Sequence, residues 1–244
     1  MTRSEESASS GTALCTEPAE HKRLKARFVD VFRAVCHPLA EGSDRPGSVS
    51  ALADALLVAW NQPHRAYHRL AHLRTCLELL DEFSQEATAT LSPSTRAELE
   101  LALWFHDAVY DPRAVDNEAR SARWAEEAIS PFAPATAGRV AELVRCTAHH
   151  QAAVNDRAAE LLLDIDLAVL GFSTELYDAF EAGVREEYQW VELGQYVLAR
   201  TRVLQGFLDR ETIFRTAEFR ERLEARARVN LRRAIGRLAE VECG

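Results

Sequence analysis

Trp104-Phe105-His106-Asp107-Ala108-Val109-Tyr110-Asp111 is the stretch from which the fold can be read. It closes an apolar run, Leu99-Glu100-Leu101-Ala102-Leu103-Trp104-Phe105, with the character of a buried helix. His106 and Asp107 set an imidazole and a carboxylate at the end of that run. An ionisable pair among apolar neighbours costs free energy unless it is paired or bound to a cation. Imidazole and carboxylate together suit a divalent first-row metal. Neighbours on a helix point about 100° apart, so both reach one ion only if it lies at the helix face between them. A buried His–Asp pair without a metal is the other reading of the same residues.

Outward from this stretch, helical spacing recurs and no alternating strand pattern of useful length does. Leu24, Phe28, Val31, Phe32 and Val35 mark a helix from His21 to about Leu39. Ser48–Trp60 follows a loop at Glu41–Gly47, with Ser48 or Ser50 as N-cap. Pro63 marks a turn leading into a helix that carries Leu73, Cys76, Leu77, Leu80 and Phe83. On that helix His68 and His72 are four residues apart and expected on one face; both address one site, or both are capping or exposed side chains. Ser92-Pro93 is an N-cap and first-turn pair for the central helix. Further helices begin at Asp116-Asn117-Glu118 and at Thr136, the latter ending in His149-His150, where a histidine also suits the helix dipole. Ala158–Gly171 holds two aspartates, Asp164 and Asp166, in a strongly apolar helix; one is expected to cap, pair or bind metal. Helices over Thr174–Gln189, Val191–Leu208 and about Thr216–Val241 complete the chain. Glu218–Arg222 and Glu224–Arg228 on the last are most simply a solvated face. The expected fold is all-α, one bundle-like domain of about ten helices over residues 21–244, preceded by a disordered tail at Met1–Glu20.

Composition limits the function. With 244 residues, 47% hydrophobic and 27% charged, the chain is ordinary for a soluble protein near the upper size for one core. A net charge of −9 provides no electrostatic basis for nucleic-acid binding. An anionic substrate therefore needs a local positive centre, such as a metal with a few arginines. Five scattered cysteines with no CxxC fit a reducing compartment. No run approaches about 18 apolar residues, so a cytoplasmic protein without a membrane partner is expected. The apolar helices suit packing within the chain or across a homodimer.

In chain order the oddly placed polar residues are His72, then His106-Asp107, then Asp164 or Asp166, each on its own apolar helix. That set resembles the HD superfamily of metal-dependent phosphohydrolases, defined by a histidine, a later His-Asp doublet and a distant aspartate. Tyr67-His68-x-x-x-His72 resembles the Tyr-His-Asn-x-x-His start of class I cyclic-nucleotide phosphodiesterases, with Arg69 in place of Asn. Phe105–Asp111, Asp116-Asn117-Glu118, Leu163–Gly171, Val184–Tyr188 and Ala227–Leu231 look like a bacterial family described as predicted HD phosphohydrolases. The resemblance covers roughly residues 20–240.

The resemblance implies an HD-type helical domain in which His72, His106, Asp107 and Asp166 ligate one divalent cation. Asp166 is preferred to Asp164 because a leucine follows it, as in the family. It implies His68 as the general acid for the leaving oxygen. Asp111 matches the second acid of the (p)ppGpp hydrolases, which positions or activates water. His149 is placed against a phosphate or a second ion. Tyr110 stands where the phosphodiesterases have a second-metal histidine, which favours a single tight ion. The ligand types suit Mn, Fe, Co, Ni or Zn, with Mg less natural. The expected activity is hydrolysis of a phosphate ester or anhydride, a nucleotide first among the candidates, by metal-activated water. Arg185 and Arg69 are candidate phosphate clamps. The alternative is a non-catalytic module of the same fold that binds a nucleotide or a partner.

Overall fold

Helix α4, Pro93–Phe105, is the axis of the fold. Ser92 caps it through the Thr95 amide, Pro93 opens it, and every residue from Leu99 to Phe105 is buried. In this computed structural model, which describes residues 17–36, 48–84 and 91–242, the helices α1 (Glu17–Val35), α3 (Leu70–Ser84), α5 (Asn117–Ile129), α6 (Pro134–Cys146) and α7 (Arg157–Asp166) all pack on α4. The expected loop at 41–47 and residues 1–16 of the expected tail lie outside the described residues. Residues 17–20, assigned to the tail by their composition, instead form the first turn of α1.

Glu100, the polar residue within the apolar run, is 3% exposed. Arg27 Nε at 2.7 Å and Arg96 Nη1 at 3.2 Å balance its charge, as a buried carboxylate requires. Helix α2 (Val49–Trp60) starts at the predicted Ser48 cap and ends with Trp60, whose Nε1 donates to the Trp104 carbonyl at 3.0 Å. This bond joins the end of α2 to the end of α4, next to the His-Asp doublet.

At Asp166, α7 tightens into a 3₁₀ turn, Leu167–Gly171. Helices α8 (Thr174–Glu187) and α9 (Leu193–Leu208) follow, and α10 (Ala217–Phe219) runs through a π-helical stretch, Arg220–Glu224, into α11 (Ala225–Glu242). The last three form one continuous rod, so the bundle has the expected ten helical rods and no strand among the described residues. The rod passes so close to the 3₁₀ turn that a Cβ at Gly171 would lie 2.5 Å from Leu223 Cβ. No helix among the described residues is long and apolar enough to cross a membrane.

Candidate metal centre

Three helix ends bring the four expected ligands together. His72 lies in the first turn of α3, His106-Asp107 directly follow α4, and Asp166 is the last residue of α7. His72 and His106 are buried, and the carboxyl side chains of Asp107 and Asp166 are about 15% exposed. His72 Nε2 is 3.2 Å from His106 Nε2, 3.3 Å from Asp166 Oδ1 and 3.9 Å from Asp107 Oδ2. His106 Nε2 is 3.2 Å from Asp107 Oδ2 and 3.6 Å from Asp166 Oδ1. The four donor atoms thus lie close enough to share one cation. Helix ends suit this task because a side chain there can turn into a common cavity that a mid-helix residue would have to enter sideways.

The hydrogen bonds behind the ligands settle which nitrogens face the centre. His106 Nδ1 donates to the Leu103 carbonyl at 2.8 Å, leaving Nε2 free of that proton. His72 Nδ1 lies 3.1 Å from the Tyr67 hydroxyl. Burial holds that phenol well above its ordinary pKa, so it is a neutral partner. Two unprotonated Nε2 atoms at 3.2 Å would repel, so a proton or a metal ion must lie between them and the carboxylates. The charges divide accordingly. Burial disfavours a proton on both imidazoles; at His106 the Asp107 and Asp166 carboxylates outweigh burial and raise its pKa, whereas at His72 burial prevails and lowers it. Asp166 is held well below the carboxylate range by His106, His150 and His72, against the effect of burial. Two imidazoles and two carboxylates with no lysine or arginine salt partner among the described residues make a fitting donor set for a divalent first-row metal. Cys76, one turn after His72, forms a second grouping with His72 and His106, its Sγ 3.7 Å from His72 Nε2.

Asp164 and Asp166 have different tasks. Asp164 is fully buried and accepts the backbone N–H groups of Arg215 at 2.8 Å and Thr216 at 2.7 Å. Burial raises its pKa to about 6. It anchors the segment before α10 and takes no part in the cation cluster.

His68 does not lie on α3 with His72, because that helix begins only at Leu70. Residues 66–68 are held instead by Glu187, the last residue of α8. Its Oε1 accepts the amides of Ala66, Tyr67 and His68 at 2.8–2.9 Å. Its Oε2 accepts from Tyr110 Oη and His68 Nδ1, both at 2.7 Å. Against the effect of burial, the hydrogen bond to Glu187 and the Asp107 charge raise the His68 pKa. Glu187 in turn is lowered to about 2, the His68 contact outweighing burial. The His68 ring stacks on Tyr110 at 4.4 Å and lines a pocket of about 140 Å³ with Asp107, Asp166, His150, Arg200 and Glu118.

The remaining expected site residues lie elsewhere. Asp111 Oδ1 accepts the Arg113 amide in a turn, and Asp111 lines a separate open cleft beside His64 and Trp190. Arg185 donates to the carbonyls of Tyr188 and Val191 and covers the Tyr196 ring, on a surface away from the cation pocket. Arg69 and His149 are exposed and line none of the pockets described here. The next residue, His150, turns inward at a φ of 48° and approaches Asp166 Oδ2 to 3.5 Å. Left-handed backbone at a non-glycine residue carries strain, a feature that gathers at functional sites.

Sequence reasoning passed over Glu187, Arg65 and Arg200. Arg65, 6% exposed, donates to the carbonyls of His68 at 2.8 Å, Asp107 at 2.7 Å and Ala108 at 3.0 Å, tying the segments of the general-acid candidate and the doublet together. Arg200 reaches the pocket from α9 in a two-point pair with Glu181, at 2.7 and 3.0 Å. One signal for Glu187 lay in its place: a carboxylate closing a helix is the wrong charge for the dipole and needs another purpose. Comparison of the chain with protein-family models, with curated proteins and with solved structures gives no match.

Proposed function

We propose that the chain is a metal-dependent phosphohydrolase of the HD type, acting on a phosphate ester or anhydride. The observation that carries this reading is the convergence of His72, His106, Asp107 and Asp166 at one point, with both imidazole Nε2 atoms turned inward. Mn, Fe, Co, Ni or Zn suits the mixed donor set better than Mg. A divalent ion held there supplies charge to polarise a phosphoryl oxygen and to acidify a water molecule.

The chain's own residues provide the rest. His68, whose protonated form the Glu187 contact favours, donates its proton to the departing oxygen from Nε2, the nitrogen left without a protein hydrogen bond among the described residues. Tyr110 and the three amides on Glu187 fix the ring so that little reorganisation accompanies transfer. Arg200, held in its pair with Glu181, lines this pocket where Arg69 and Arg185 do not. At about 140 Å³ the pocket is smaller than the roughly 300–1,000 Å³ of sites that enclose whole ligands. It therefore takes the reacting phosphoryl end and leaves the rest of the substrate outside. The resemblance to nucleotide-hydrolysing HD enzymes makes nucleotides the first substrates to test.

Elemental analysis of the purified protein, followed by a panel of nucleotides and simple phosphate esters with added Mn²⁺, tests the reading. Asp107→Ala should lose both the bound ion and turnover. A wild-type protein that takes up no divalent cation, or an Asp107→Ala variant as active as the parent, overturns it.

A further inference from the structure

Several arginines of this acidic protein pair with carboxylates, among them Arg27, Arg96, Arg139, Arg200 and Arg233. Arg210 and Arg215 do not. They line a cleft of about 310 Å³ with His150, Gln151, Glu211, Thr212 and Ile213. Among the described residues neither guanidinium forms an ion pair, Glu211 included. The Arg210 guanidinium has no hydrogen-bond partner there either and lies over the Phe207 ring at 4.6 Å. Burial and then the neighbouring Arg215 disfavour its charge. Two neighbouring cations that form no ion pair among the described residues are a costly arrangement that an anion relieves.

The loop bearing them is firmly held. Arg228 donates to the carbonyls of Leu208, Arg210 and Glu211, and Glu224 accepts the amides of Ile213 and Phe214. Asp164 accepts those of Arg215 and Thr216. Glu224 and Arg228, expected on a solvated face, are thus the framework of this loop. Arg215 Nη2 also donates to the His150 carbonyl at 2.6 Å. His150 and Phe207 connect the two sites: both line the cation pocket, while His150 also lines the cleft and Phe207 carries Arg210.

We propose that the cleft between His150 and residues 210–215 is an anion subsite for a second phosphate of the substrate, one that does not react. This rests on the phosphohydrolase reading for the identity of the ligand, and on the cleft alone for its charge. The expected substrate is one with two separated phosphates, since the 140 Å³ pocket leaves the rest of the molecule outside it.

The test uses Arg210→Gln, which breaks no hydrogen bond among the described residues, in the full chain, with Arg113→Gln as a control on another face. Inorganic phosphate and pyrophosphate are titrated by calorimetry into protein stripped of metal with EDTA, after thermal unfolding has shown that the variants fold. Wild type and control should bind, and Arg210→Gln should bind about 10- to 100-fold more weakly, the loss of charge-assisted bonds of about 1.5–3 kcal/mol. In the Mn²⁺-loaded protein, KM for adenosine 3′,5′-bisphosphate should rise by a similar factor, with that for adenosine 5′-monophosphate unchanged. Equal binding by wild type and Arg210→Gln, or no binding by the stripped wild type, overturns the subsite. An equal rise in both KM values overturns its assignment to a second phosphate. Absence of metal uptake or turnover counts against the phosphohydrolase reading alone, because the calorimetric readout needs neither.

Discussion

His68 Nδ1 and Glu187 Oε2 lie 2.7 Å apart although 119 residues separate them in the chain. The same carboxylate closes three backbone amides and the Tyr110 hydroxyl, so the contact is structural and electrostatic at once. Glu187 has a folded pKa of about 2 against an ordinary 4.5. Its contribution to stability is therefore complete above pH 4.5 and disappears as pH falls towards 2. Glu187→Gln should lower unfolding stability by about 2–3 kcal/mol at pH 7. Urea unfolding at pH 7 and pH 3 should show the difference shrinking at the lower pH; a constant deficit would mean that geometry rather than charge accounts for it.

His68→Ala should retain the divalent ion and slow turnover about 10²- to 10⁴-fold, the usual range for a lost general acid. Metal content and kcat, measured on one preparation, separate the roles. Loss of the ion would make His68 a ligand instead.

The two aspartates of α7 should part company under substitution. Asp166→Ala removes a donor and should abolish metal retention. Asp164→Ala should keep the metal and instead destabilise the protein by about 1–3 kcal/mol for each amide left unpaired at Arg215 and Thr216. Metal analysis beside a denaturation curve checks both.

Arg65 joins two segments through carbonyl oxygens alone, held between the rings of Trp60 at 5.4 Å and Tyr110 at 5.3 Å. Lysine cannot reproduce its planar fork. Arg65→Lys should cost about 2–4 kcal/mol, by loss of charge-assisted bonds to buried acceptors, and should weaken metal retention through the displaced Asp107. A variant with wild-type stability and metal content would show that these bonds are dispensable.

Gly171→Ala should destabilise by about 1–3 kcal/mol, the usual cost of overpacking. The added carbon would meet Leu223 Cβ at 2.5 Å and its carbonyl oxygen at 2.9 Å. A shift in the urea midpoint measures it.

The helices were legible because apolar residues recur with helical period and Ser48, Ser92 and Pro93 act as the local signals they resemble. The residues of the candidate cluster were legible because ionisable groups in apolar runs stand out, but that signal marked Asp164 equally, and only the family resemblance favoured Asp166. What failed was local inference carried too far. His68 and His72 share a spacing but not a helix, since three amides on Glu187 hold the chain open until Leu70. His149 and His150 are equivalent in sequence; only the left-handed turn at the second decides which enters the pocket. Arg65 left no signature because its partners across the fold are main-chain oxygens and its side-chain partner, Gln62, is a near neighbour in the chain.

The anchoring of residues 66–68 by Glu187 has a consequence for synthesis. In a growing polypeptide all four residues of the candidate cation cluster precede the carboxylate that fixes His68. The segment at 66–68 therefore cannot take up its final conformation until the far end of α8 has been made, after the cluster residues themselves.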